Sequence, residues 1–112
     1  MEIKQYEIWL ANLNPKVGTD PEKTRPVVVV QTNLLNTATH PSTIICPITS
    51  KVNSELKKLR VHIEKGQIDK PSDILVDQIR AIDNKRLLKR LGKLTKDQIS
   101  LLRENLSEIL EL

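Results

Sequence analysis

The sequence predicts an α+β domain that is mainly β, a small curled antiparallel sheet with one C-terminal α-helix packed on it. Two observations carry this. Between residues 7 and 82, short apolar segments rich in β-branched side chains alternate with Pro, Gly, Asn and polar clusters, the signature of strands and turns. From residue 95 onward the apolar residues fall instead at helical spacing behind a capping signal. Several strands followed by one helix suit a sheet whose helix covers one of its faces.

The elements follow in order. Residues 7–13, with Ile8, Trp9 and Leu10, read as a first strand, and residues 14–24, punctuated by Pro15, Gly18 and Pro21, as a loop. The run Val27 to Val30 is stiff at χ1 and predicts a strand buried on both faces, with Pro26 at its beginning or on an edge. Residues 32–41 form a polar connection, 42–48 a third strand, and 49–58 a charged loop. In 59–65 the alternation is strict: Leu59, Val61 and Ile63 share one face, and Arg60, His62 and Glu64 the other. Residues 74–82 read as one further strand with polar interruptions. Residues 83–94 fit a helix ending at Gly92 or a short strand. Thr95 and Gln98 form a capping box, and Ile99, Leu102, Leu106, Ile109 and Leu110 make the apolar stripe of a terminal helix.

A length of 112 residues suits one domain, residues 1–112. With 12 Ile, 16 Leu, 8 Val and no Phe, its core must be aliphatic. Tyr6 and Trp9 are the only aromatics, so an RNA-stacking platform cannot be built. A single cysteine, Cys46, excludes an internal disulfide and a multi-cysteine metal site; flanked by Ile45 and Pro47, it reads as a small buried hydrophobe. No apolar run reaches the roughly 18 residues of a membrane span, and the first residues do not read as a signal peptide. The expectation is a soluble cytoplasmic protein with no membrane partner and no cofactor.

The net charge of +4 is uneven. Residues 51–90 carry eleven basic and six acidic side chains, whereas residues 1–50 carry four of each. Such a field attracts polyanions. Arg25 before the valine run, Thr49 after the third strand, and Asp77, Gln78 and Arg80 within an apolar stretch are the polar residues placed where strands end or are interrupted. His40 and His62 read as solvated side chains, and no P-loop, H-E-x-x-H or G-x-G-x-x-G is present.

Five segments, taken in order, carry a resemblance: residues 7–15 (EIWLANLNP) with Val17-Gly18-Thr19, residues 24–30 (TRPVVVV), residues 46–50 (CPITS), residues 76–83 (VDQIRAID), and the capped helix. Together they resemble the MazF/PemK-like toxins of bacterial toxin–antitoxin systems over essentially the whole chain. The resemblance implies an SH3-like barrel with a C-terminal helix, acting as a homodimer. It also implies a metal-independent endoribonuclease that cuts single-stranded mRNA and is neutralised by a cognate antitoxin, with DNA contacted only through the antitoxin complex. The catalytic side chains carried over are Arg25 and Thr49; Thr19, Ser50, Asp77, Gln78 and Arg80 are carried over as substrate-binding. One branch of the family places a histidine and an arginine where Thr19 and Leu75 stand, so its triad does not transfer. A gyrase-poisoning toxin of the same barrel and an inactive RNA- or protein-binding barrel are the alternatives. The first relies on a terminal aromatic that Ser107 to Leu112 lacks.

Overall fold

The computed structural model of the chain describes residues 2–13, 24–38 and 40–112. Among them, seven strands form one antiparallel sheet: β1 (Glu7–Asn12), β2 (Thr24–Val29), β3 (Ser42–Thr49), β4 (Arg60–Ile63), β5 (Ser72–Leu75), β6 (Arg80–Asp83) and β7 (Leu87–Lys93). Two helices accompany it, the short α1 (Asn33–Thr37) and the terminal α2 (Lys96–Leu110). The strand order is β4-β5-β3-β2-β1-β7, with β6 also paired to β3. The sheet curls without closing: no ladder joins β4 to β7 among the described residues. A side-chain bond from Gln67 Nε2–H to the Lys93 carbonyl (3.4 Å) spans from the β4–β5 connection to β7 instead.

Strand periodicity sorts the core into two clusters on opposite faces. On β2, Val28 joins Ile8, Cys46, Ile48, Ile74 and Leu102, while Val27 and Val29 join Trp9, Ala11, Ile45 and Leu87. The valine run is thus buried on both faces, as its composition predicts. Cys46 lies fully inside; burial, helped by the Asp77 charge, pushes its thiol up to about 12, so it packs as a hydrophobe and is no nucleophile.

Three expectations are refined. The stretch 74–82 is not one strand: Val76–Gln78 form a 3₁₀ turn that separates β5 from β6. Both strands pair with β3, β6 along Ser42–Ile45 and β5 along Ile48–Thr49. The Ile44 carbonyl points toward β2, where it accepts from Val30 (3.0 Å). By the period of two, the missing N–H of Pro47 therefore faces the other edge of β3, where the ladder is interrupted. Residues 83–94 resolve into a 3₁₀ turn at Asn84–Arg86 and then β7. The polar connection after β2 contains α1, capped by the Thr32 side chain accepting from the Leu34 amide.

The capping box is present: Thr95 Oγ1 accepts from the Gln98 amide (3.2 Å) and Gln98 Oε1 accepts from the Thr95 amide (2.9 Å). Leu102 of α2 is fully buried in the core, and Ile99, Leu106 and Ile109 pack against the same cluster, whereas Leu110 is half exposed and off the stripe. Two buried amides tie the helix to β4 and its approach: Gln98 Nε2 donates to the His62 carbonyl (3.1 Å), and Asn105 Nδ2 to the Lys57 carbonyl (3.2 Å). Thr95→Ala is expected to lower stability by about 1 kcal/mol in urea unfolding; an unchanged midpoint would contradict the assigned role of the cap.

Candidate functional site

β2 and β3 bring the first two predicted residues together. Their ladder ends at Val27↔Pro47, and this register carried two residues further sets Arg25 level with Thr49. Both residues line one open cavity of about 810 Å³ at that end of the sheet, together with Ser50. Its far wall is the β4–β5 connection. Lys51, Lys65, Lys70 and Lys89 also line it, against a single carboxylate, Asp69, among the described residues, so positive charge from residues 51–90 gathers here. Leu10, Pro26 and Ile48 supply an apolar floor.

Arg25 is exposed, and its guanidinium makes no ion pair or hydrogen bond among the described residues. A forked, permanently charged donor set beside lysines is suited to a phosphate. Thr49 is half-buried, and its Oγ1 accepts the Lys51 amide (3.1 Å). That bond occupies an acceptor position and leaves the hydroxyl proton available for donation.

The other expected residues lie elsewhere. Asp77 and Gln78 are exposed on the 3₁₀ turn and do not line the cavity. Arg80 is outside it too; its Nη2 donates to the Leu13 carbonyl (3.0 Å), an anchoring bond at the end of β1. Thr19 lies outside the described residues.

The reading of His62 as merely solvated is corrected. Its ring is partly exposed, yet Nδ1 lies 3.0 Å from Oδ1 of Asp73, a carboxylate that is itself buried on β5. Asp73 Oδ2 also accepts from the Asn53 amide (2.9 Å) and from Arg60 Nη1 (3.3 Å). Burial pushes the Asp73 carboxyl up, but the Asn53 amide, His62 and Arg60 outweigh it and hold the group below its usual value. Because the folded value is depressed, the stability it contributes is present above the unfolded value of about 3.9 and is lost as pH falls through the lower folded one. Urea unfolding is therefore expected to show a stability gap between wild type and Asp73→Asn that is wide at pH 7 and narrows below pH of about 4. A gap constant with pH would contradict the ionised, bonded state. His40 also has a partner, its Nδ1 lying 2.9 Å from the Ser42 carbonyl. Sequence reasoning missed Asp73; the available signal was one acid set directly before the apolar run Ile74 to Val76.

Fold and cavity together define a small β-domain that presents a cationic cleft at the end of its sheet. The chain belongs to the PemK-like, MazF-like toxins of type II toxin–antitoxin systems, whose family model matches residues 4–110. Solved structures agree on the fold. A MazE–MazF crystal structure (Form-II) from Deinococcus radiodurans is 20% identical, with 100% of this chain and 98% of that chain covered and a TM-score of 0.85. The Mycobacterium tuberculosis toxin MazF-mt6 is 21% identical over 95% of this chain and 97% of its own, with a TM-score of 0.78. An endoribonuclease in complex with its cognate antitoxin, from a mycobacterial species, is 16% identical over 99% and 95%, with a TM-score of 0.75.

Proposed function

We propose that this protein is a sequence-specific endoribonuclease toxin that cleaves single-stranded mRNA in the cytoplasm. The observation that carries the reading is the placement of Arg25 and Thr49 on one lysine-lined cavity. Membership of a toxin family that includes an endoribonuclease among its solved relatives supports it.

The chemistry uses a nucleophile already tethered to its target. The ribose 2′-oxygen bonds to the neighbouring phosphorus and the bond to the 5′-oxygen breaks, giving a 2′,3′-cyclic phosphate and a 5′-hydroxyl. The 2′-hydroxyl proton passes to water, and the departing oxygen takes one up. Because attack is intramolecular, most of its entropic cost is already met. What remains is alignment and the extra charge on the phosphoryl oxygens. Arg25 answers the charge with its fork of donors, and Thr49 adds its hydroxyl to the same group. Arginine does not serve as a base here, since a guanidinium keeps its proton. Asp77 stands off the cavity and is given no part in the reaction. In this proposal Ser50 and the lysines hold flanking phosphates, and bases are read by backbone and polar groups, in keeping with the scarcity of aromatics.

Incubation with a long single-stranded RNA in EDTA tests the reading: discrete cuts with cyclic phosphate ends are expected, and an intact transcript would overturn it. Lys65→Gln or Lys89→Gln is expected to weaken RNA binding at all sequences and to flatten the slope of log K against log salt by about 0.7 per charge. An unchanged slope would place the RNA elsewhere. In the proposed assembly two copies join their cavities into one groove. A cognate antitoxin covers that groove, as suggested by the partners in the Deinococcus and mycobacterial complexes.

A further inference from the structure

Asp73 is absent from the catalytic assignment above, yet it sits beside it. In the β3–β5 ladder it is the direct cross-strand partner of Thr49, and in the β4–β5 ladder it is the partner of His62. Cross-strand partners project to the same face. Thr49, Asp73 and His62 thus form a row that, through the extended β2–β3 register, points toward Arg25.

A buried carboxylate is costly unless each oxygen is satisfied, and here both are. Oδ1 receives the His62 ring, and Oδ2 receives the Asn53 amide and Arg60. Arg60 Nη1 also donates to the Lys51 carbonyl (2.7 Å). Two of these bonds therefore hold the backbone at Lys51 and Asn53, on either side of Val52. The Lys51 amide is in turn the donor to Thr49 Oγ1. The chain of contacts is continuous: Asp73 fixes Arg60 and Asn53, these fix the backbone at 51–53, and that backbone sets which way the Thr49 hydroxyl faces.

We infer that Asp73, acting with Arg60, is a positioning residue for RNA cleavage, holding the 51–53 backbone so that Thr49 presents its hydroxyl proton, rather than its lone pairs, to the scissile phosphate. The inference rests on the nuclease reading for its kinetic consequence but not for its structural one. The bond from His62 needs only a hydrogen on Nδ1, which either a neutral or a charged ring can supply, so the clamp persists through neutral pH.

The test compares wild type, Asp73→Asn, Asp73→Ala and Arg60→Lys by two readouts. Hydrogen exchange of the Lys51 and Asn53 amides is measured on the free protein. Cleavage of a short RNA with one site gives kcat and KM. Protection at Lys51 and Asn53 is expected to fall in the order wild type, Asn, Ala, while amides in the β1–β2 ladder keep theirs. Over the same series kcat is expected to drop about tenfold or more, with KM changing less than about threefold, because a misplaced donor is missed chiefly in the transition state. Asparagine keeps an acceptor for the Asn53 amide and is expected to restore part of what alanine loses. If Asp73→Ala does not fold, Asp73→Asn and Arg60→Lys carry the comparison. Unchanged exchange in both variants overturns the inference, as does lost protection with wild-type kcat. A wild-type protein that cuts no RNA overturns the nuclease reading alone, since the exchange measurement still reports whether Asp73 holds the Thr49 segment.

Discussion

Arg25→Ala is expected to abolish RNA cleavage while leaving the fold intact. Removing one donor aimed at developing charge typically costs about 2.7–4 kcal/mol of barrier, or 10²–10³ in rate. A guanidinium loses both a charge and a fork of hydrogen bonds, so the upper end of that range is expected here. Stability is expected to change by no more than about 0.5 kcal/mol, because the side chain is exposed and has no ion pair or hydrogen bond among the described residues. Arg25→Lys keeps the charge without the fork and should recover only part of the rate. Single-turnover cleavage beside a urea melt checks both halves. A folded alanine variant that cleaves at the wild-type rate would remove Arg25 from the mechanism.

The largest effect on stability is expected from Leu102→Ala. Leu102 is the fully buried leucine of α2, and it joins the helix to the cluster containing Ile8, Val28, Ile48 and Ile74. Truncation removes its transfer free energy and leaves a cavity that a β-sheet face cannot readily collapse into. Leucine-to-alanine changes at such sites cost about 2.7–5.0 kcal/mol. By contrast Leu101, its neighbour on the same helix, is half exposed, and Leu101→Ala should cost far less. Equal effects at the two positions in urea unfolding would show that α2 does not dock through the Leu102 face.

Much of the fold was legible because period-two burial and a capping box are local signals. The valine run declared a strand with two buried faces, and Thr95 with Gln98 declared where the helix begins. The break at Val76–Gln78 was not legible as a turn, because Asp77 and Gln78 interrupt an otherwise apolar stretch that holds no Gly, Pro or Asn. It shows only in the pairing, where β6 and β5 meet different parts of β3 on either side of Pro47. The site divides in the same way. Arg25, Thr49 and Ser50 flank strands that pair, so their proximity follows from the topology. Asp77, Gln78 and Arg80 adjoin the turn that the sequence did not reveal, and they stand outside the cavity. The lysines of the far wall were visible only as a regional excess of charge; it took the β4–β5 connection to face Lys65 and Lys70 toward Arg25. Asp73 was hidden for a related reason. Its three donors come from positions 53, 60 and 62, and only the folded hairpin makes them neighbours.

The central claim is that Arg25 and Thr49 act on one and the same phosphoryl group. A double-mutant cycle on single-turnover cleavage, using Arg25→Lys, Thr49→Val and the pair, tests it most directly. If the two side chains share a phosphate, the double variant is expected to be much less impaired than the product of the two single effects. Fully multiplicative losses would mean that they act independently, and would contradict the account.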